Sequence, residues 1–227
     1  MKDSFSGVHY SFLPYSNTLP LTGAGKRGLY AHRGAGNVFI EVPRHELWLG
    51  EEGVSMKDSN LIIAVDEEDR FLEERDKWEC HQSEGILHRA FLVMVYNDRG
   101  EILLARRSPG KKLWPGFWDG TVASHVQLGE SYEDSARRRL DEELGLNDLQ
   151  VNYVTKFIYH AQYQDVGSER ETYAVLKACA DTSTHIMPCA QEITDIRYVP
   201  PDAVLHEEGL TPWLLIALEK IPPIPAC

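Results

Sequence analysis

From residue 61 onward, apolar and polar positions alternate in short blocks separated by turn residues. LIIAVD (61–66) is a short apolar run closing on an acidic turn, as a buried strand does. HRAFLVMVY (88–96), the turn Asn97–Gly100 and EILLARR (101–107) predict a β-hairpin. VNYVTKFIYHAQ (151–162) and ETYAVLKACA (171–180) predict two further strands joined by a polar loop, and EITDIRYV (192–199) another. Two segments change to a helical period. In the first, Ala136, Leu140 and Leu144 fall four apart, Ser131 with Asp134 forms a capping box, and Gly145 marks the stop. Arg139, Glu142 and Glu143 stand at i, i+3 and i+4 and share a different face of that helix. The second, TPWLLIALEK, opens with proline in its first turn. Mixed strands with a central and a terminal helix predict an α/β sandwich around one sheet.

Residues 1–57 differ. They are rich in Gly, Pro, Ser and Tyr, TGAGKRG and HRGAGN predict loops, HELWLGEEG predicts a turn, and Asn37–Val42 alone suggests a strand. We therefore expect an N-terminal arm, partly irregular, over 1–57 and a folded domain over 58–227. GAGKRG lacks the Gly-Lys-Ser/Thr ending, the preceding strand and the following helix of a phosphate-binding loop.

Composition narrows the function. The net charge of −12 argues against nucleic acid as the main ligand. It is unevenly spread: Lys2, Lys26, Arg27 and Arg33 face Asp3 alone in residues 1–40, a net of +3 against −15 for the rest. No apolar run approaches the roughly 18 residues of a spanning helix, so no membrane role is expected. Cys80, Cys179, Cys189 and Cys227 show no CxxC; a reducing cytoplasm fits, with a Cys179–Cys189 bridge left open.

Two groups of residues carry candidate chemistry. His81, His88 and His125, with Glu169 and Glu171 at i and i+2 of a strand start, would suffice for a divalent transition metal with one position open. On spacing alone, two unrelated surface features explain these residues equally well. Lys77, Arg107, Lys111, Lys112 and Arg139 would form a cationic patch for a small anion if folding gathers them; Lys112 by itself is more simply a solvated lysine.

The stretch SHVQLGESYEDSARRRLDEELGL resembles the Nudix box: Glu130, Arg138, Leu140, Glu142, Glu143, Gly145 and Leu146 match in place. Ser124 and Arg139 depart, the latter where a Nudix hydrolase has a magnesium-binding glutamate. ILHRAF, ARRSPGKKLWPGFW, SHVQLGES, RRRLDEELG and TPW further resemble the type I isopentenyl diphosphate isomerases, a branch with this fold, over about residues 60–221. The resemblance implies a Nudix fold, with a mixed sheet between helices. It implies a metal (manganese, zinc or magnesium) at His81, His88, His125, Glu169 and Glu171, and a magnesium bridging diphosphate and Glu143. It implies Lys77, Arg107, Lys111 and Arg139 as diphosphate contacts, and Tyr159 and Trp213 in the active site, the indole facing a carbocation. Glu171 is the implied proton-transfer carboxylate. The family's opposing cysteine is replaced here by Ala123, which has no titratable group.

The function so implied is metal-dependent action on a C5 prenyl diphosphate by a monomer or homodimer. The alternatives are a diphosphohydrolase acting on a prenyl, nucleotide or cofactor diphosphate and using Glu130, Glu142 and Glu143, and a non-catalytic prenyl diphosphate binder.

Overall fold

The computed structural model describes the backbone of Leu29–Arg33 and Gly36–Ile40 and the whole of residues 60–221. The chain divides into two units, Met1–Ser55 and Met56–Cys227. In the first, β1 (Leu29–Arg33) and β2 (Gly36–Ile40) form an antiparallel pair, so His32, Arg33, Gly36 and Asn37 are strand residues where HRGAGN suggested a loop. The predicted turn at HELWLGEEG and the loop at TGAGKRG lie outside the described residues.

The second unit contains β3 (Leu61–Val65), β4 (Phe71–Asp76), α1 (Lys77–His81), β5 (His88–Tyr96), β6 (Ile102–Arg107), β7 (Trp118–Asp119) and β8 (Val122–His125). There follow α2 (Tyr132–Leu144), β9 (Asn152–Tyr163), β10 (Gly167–Cys179), β11 (Ile193–Val199), α3 (Pro201–Val204) and α4 (Pro212–Lys220). The sheet runs β11-β6-β5-β10-β9, with β5 and β10 parallel and the other pairs antiparallel. The short strands β3 and β8 extend it along β5, and β7 along β6.

Period-2 alternation in β5 divides the core. Phe91, Val93 and Val95 pack on one face with Ala136, Leu140 and Leu144 of α2. Ala90, Leu92 and Met94 pack on the other with Trp213, Leu214 and Ala217 of α4. Helices therefore cover both faces of a mixed sheet, as the sequence predicts. The α2 capping box forms as read, with Asp134 N–H donating to Ser131 Oγ at 3.0 Å, and Gly145 ends the helix at φ 66°.

Two differences from the sequence reading have physical causes. The sequence FLEERD hid β4, because its residues are mostly exposed and it pairs with β3 alone, so nothing imposes alternation. Strand β10 begins at Gly167, four residues earlier than predicted, because Ser168, Glu169 and Glu171 are polar yet buried. Cys189 is a free cysteine, so there is no Cys179–Cys189 bridge. No helix among the described residues is long and apolar enough to cross a membrane.

Candidate functional site

The site lies where three strand ends and α1 meet. Register sets its first row: Glu171 on β10 is opposite His88 of β5 on one side and Tyr159 of β9 on the other. Glu169 and Tyr173 point the same way as Glu171, two residues to either side. His125 ends β8, opposite Ala90. His81 ends α1, whose cap is Asp76, accepting from the backbone N–H of Trp78 and Glu79 at 2.8 and 3.2 Å. Gly167 allows α1 to approach β10: a Cβ there would lie 2.4 Å from the His81 carbonyl oxygen.

These placements bring the three imidazoles together, with ring centroids 4.8, 5.2 and 5.1 Å apart. Ligand atoms of His81, His88, His125 and Glu169 all fall within 4.8 Å of one another. His88 Nδ1–H donates to the Ile86 carbonyl at 2.7 Å, which turns the lone pair of Nε2 toward the cluster. Nε2 of His88, Nε2 of His125 and Oε2 of Glu169 are buried without a well-formed hydrogen bond, Oε2 lying 2.9 Å from Nδ1 of His81. Leaving two buried imidazole nitrogens without a hydrogen bond is costly, so the donor set fits a divalent cation. Glu171 lies against it, Oε1 3.3 Å from Nε2 of both His88 and His125, while its other oxygen accepts from Tyr159 Oη.

Burial dominates the protonation of this group. It drives His88 below the usual histidine range and His125 well below it, with Lys77 adding to the effect at His125, so both imidazoles are neutral and able to ligate. Burial and the charge of Glu169 push Glu171 well above the carboxylate range. Burial alone would also raise Glu169, but His81 beside it holds it down at about 2. Tyr159 is driven well above 10 by burial and by Glu171, so it stays a phenol.

The cluster opens into a cavity of about 320 Å³. Of the residues read from the sequence, Lys77, Arg107, Lys111, Ala123, Tyr159 and Trp213 line it, as do His81, His125, Glu169 and Glu171. His88 is fully buried behind them. Arg139 and Glu143 do not line it. Arg139 Nε donates to Glu143 at 2.9 Å, and its terminal nitrogens lie 2.9 Å from Glu142 and 3.3 Å from Glu192. Glu143 instead borders a small adjoining cavity of about 20 Å³, which shares Arg107, Lys111 and Ala123 with the large one. Burial raises the Glu143 carboxyl, against the opposing pull of Arg139. Glu130 is held by Arg138 at 2.8 and 2.9 Å and by Ser135, tying the loop before α2 to the helix. Cys80 is buried, its thiol pushed up to about 11, and it does not reach the cavity wall.

Sequence reasoning missed Asp119. Its buried carboxylate accepts from Trp213 Nε1 at 2.8 Å, Thr211 Oγ1 at 3.1 Å, the Gly120 N–H at 2.8 Å and an Arg107 terminal nitrogen at 3.2 Å. One side chain thus fixes both the aromatic wall and a cation of the cavity, and Arg107 lies 5.2 Å over the Trp213 ring. The only hint was an acid between Trp118 and Gly120, ordinary turn composition. Arg107 also donates to the carbonyls of Trp114 and Leu113, both at 3.0 Å. Trp114 takes φ 45°, uncommon for a bulky residue, with its ring edge-on to Trp213 at 5.1 Å. Trp78, with Lys112 4.0 Å above its ring, is a further unpredicted wall residue.

This fold and site define a class. Residues 86–218 match the NUDIX domain, and the chain belongs to the Nudix family. More specifically, it is a Nudix enzyme resembling the isopentenyl-diphosphate isomerases. It is 34% identical over 168 residues to the isopentenyl-diphosphate Delta-isomerase of Haloarcula marismortui, covering 70% of this chain and 89% of that protein. It is also 32% identical over 164 residues to an uncharacterized Nudix hydrolase of Pseudomonas aeruginosa, covering 72% and 92% respectively. Among solved structures, DR0079 from Deinococcus radiodurans shares the fold at TM-score 0.58 and 20% identity, covering 71% of this chain and 98% of that one.

Proposed function

We propose that the protein is a divalent-metal-dependent enzyme acting on a C5 prenyl diphosphate by shifting its double bond. The observation that carries this reading is the row His88–Glu171–Tyr159, which sets a proton-bearing carboxyl–phenol pair beside three imidazoles at an aromatic-walled cavity. Manganese, zinc or magnesium would be held by His81, His88, His125, Glu169 and Glu171, and a magnesium by Glu143. Bound there, the metals supply positive charge that offsets the substrate's diphosphate and orders the carboxylates.

The chain's own groups then divide the work. Lys77, Arg107 and Lys111 attract the diphosphate, and Arg139 braces the carboxylates beside it. Glu171, hydrogen-bonded to Tyr159, delivers a proton to the terminal methylene carbon. The tertiary cation so formed faces Trp213. A proton then leaves the neighbouring carbon, and the double bond forms there. Because Ala123 offers no base, that proton goes to water. A proton adjacent to a carbocation is acidic enough for so weak a base.

Hydrolysis is less well supported, since Arg139 stands where a Nudix hydrolase has a magnesium-binding glutamate and Glu130 is committed to Arg138. The test is a phosphorus and proton NMR time course with isopentenyl diphosphate, magnesium and manganese in deuterated water. Dimethylallyl diphosphate carrying deuterium in a methyl group is the expected product. Phosphate release would make the protein a hydrolase, and line broadening without turnover would make it a binder.

A further inference from the structure

Lys77, Arg107, Lys111 and Lys112 line the cavities, and one carboxylate outside the reaction row is paired with Lys111. Glu192 stands immediately before β11 and is pinned by its own backbone: its carbonyl accepts from the Ser108 N–H at 2.8 Å, and its N–H donates to the Cys189 carbonyl at 2.9 Å. Ser108 begins the loop that carries Lys111. From this anchor the Glu192 carboxylate is ion-paired with Lys111 Nζ and lies 3.3 Å from Arg139. Burial would raise this carboxyl, but Lys111, Arg139 and Lys77 hold it down at about 2, so it is a full negative charge at any physiological pH.

The two cavities give the pairing a consequence. Lys111 lines both, whereas Glu192 lines only the small one. A lysine is a point charge on a flexible stem, and its ammonium can serve one anion or another across such a boundary. Resting on the diphosphate reading above, we propose that Glu192 is a competing internal anion, which holds Lys111 away from the ligand and so sets how much phosphate charge the site demands. A ligand phosphate takes Lys111 only by displacing this carboxylate. The pair is about a quarter exposed on each side, so it is breakable at modest cost.

Calorimetric titration of the full chain with inorganic pyrophosphate, in magnesium buffer at low salt, tests the idea. Glu192→Gln keeps the shape and removes the charge; its affinity for pyrophosphate is expected to rise on the order of tenfold. In a Lys111→Met background the same substitution is expected to change affinity less than about twofold. That coupling is a readout that a merely structural role for Glu192 would not produce. Unchanged or weaker binding by Glu192→Gln overturns the inference, as does an equal gain without Lys111. If wild type and variants all fail to bind pyrophosphate, the diphosphate reading itself falls, an outcome distinct from equal binding by both.

Discussion

Replacing Asp119 with alanine tests whether one buried carboxylate organises both walls of the cavity. The substitution removes the acceptor of four donors: Trp213 Nε1, Thr211 Oγ1, the Gly120 N–H and Arg107. Asp119 and Trp213 are 3% and 2% exposed, so the indole N–H has no access to bulk water when its partner goes. An unsatisfied buried donor costs about 1–3 kcal/mol. Breaking a buried ion pair from one side costs about 3–5 kcal/mol. Arg107 softens that loss, since it keeps the Trp114 and Leu113 carbonyls, and removing a carboxylate whose own charge is disfavoured by burial offsets part of the rest. The net expectation is a loss of about 3–5 kcal/mol in unfolding free energy. For a chain of this size that corresponds to a fall in Tm of roughly 6–20 °C. Urea unfolding followed by tryptophan fluorescence measures it, and Asp119→Asn, which keeps an acceptor for the indole, is expected to lose less. A loss below about 1 kcal/mol for Asp119→Ala would refute the reasoning, because the four donors would then have found other partners.

Other perturbations address the reaction and the metal. Ala123→Cys places a thiol on the cavity wall that the large and small chambers share; isomerase turnover by NMR is expected to rise on the order of 10²–10⁴-fold. No gain would show that the proton on that side is not limiting. Glu169→Gln removes a carboxylate charge from the imidazole cluster, and metal content after dialysis, read by atomic emission, is expected to fall well below that of wild type; equal content would remove Glu169 from the ligand set. Glu192→Gln also has a pH signature. A carboxyl held at about 2 in the folded chain, against 4.5 for an ordinary glutamate, stabilises the fold above pH 4.5 and loses that contribution as pH falls toward 2. Discounted for partial exposure, the wild-type advantage is about 1–2 kcal/mol at neutral pH and is expected to vanish near pH 2 in unfolding titrations; an advantage independent of pH would contradict the assignment.

What could be read before folding was whatever has a period or a fixed spacing. β5 was bounded correctly at His88 and Tyr96 because its residues are apolar on both faces and turn residues follow it. The capping box and Gly145 bounded α2 because both are short-range chemistry. The metal set was different. His81, His88, His125 and Glu169 lie on four elements, and spacing alone gave them no advantage over scattered surface residues; only the resemblance to a known family joined them. Their convergence depends on pairing register and on a glycine at 167 that lets α1 close on β10, and neither is periodic.

Arg139 shows the opposite limit. Its place in a motif suggested a role in diphosphate binding, yet a helix face that puts it four residues before Glu143 also makes that glutamate its nearest counter-charge. Sequence spacing says which groups share a face; it does not say whether they will serve a ligand or each other. That choice is made by Glu192, arriving from about fifty residues away, and by Asp119, which does the same for Arg107. Each of the cations Arg107, Lys111 and Arg139 already has a carboxylate partner, so on the diphosphate reading proposed above, affinity for the substrate is expected to depend as much on those three acids as on the basic residues themselves.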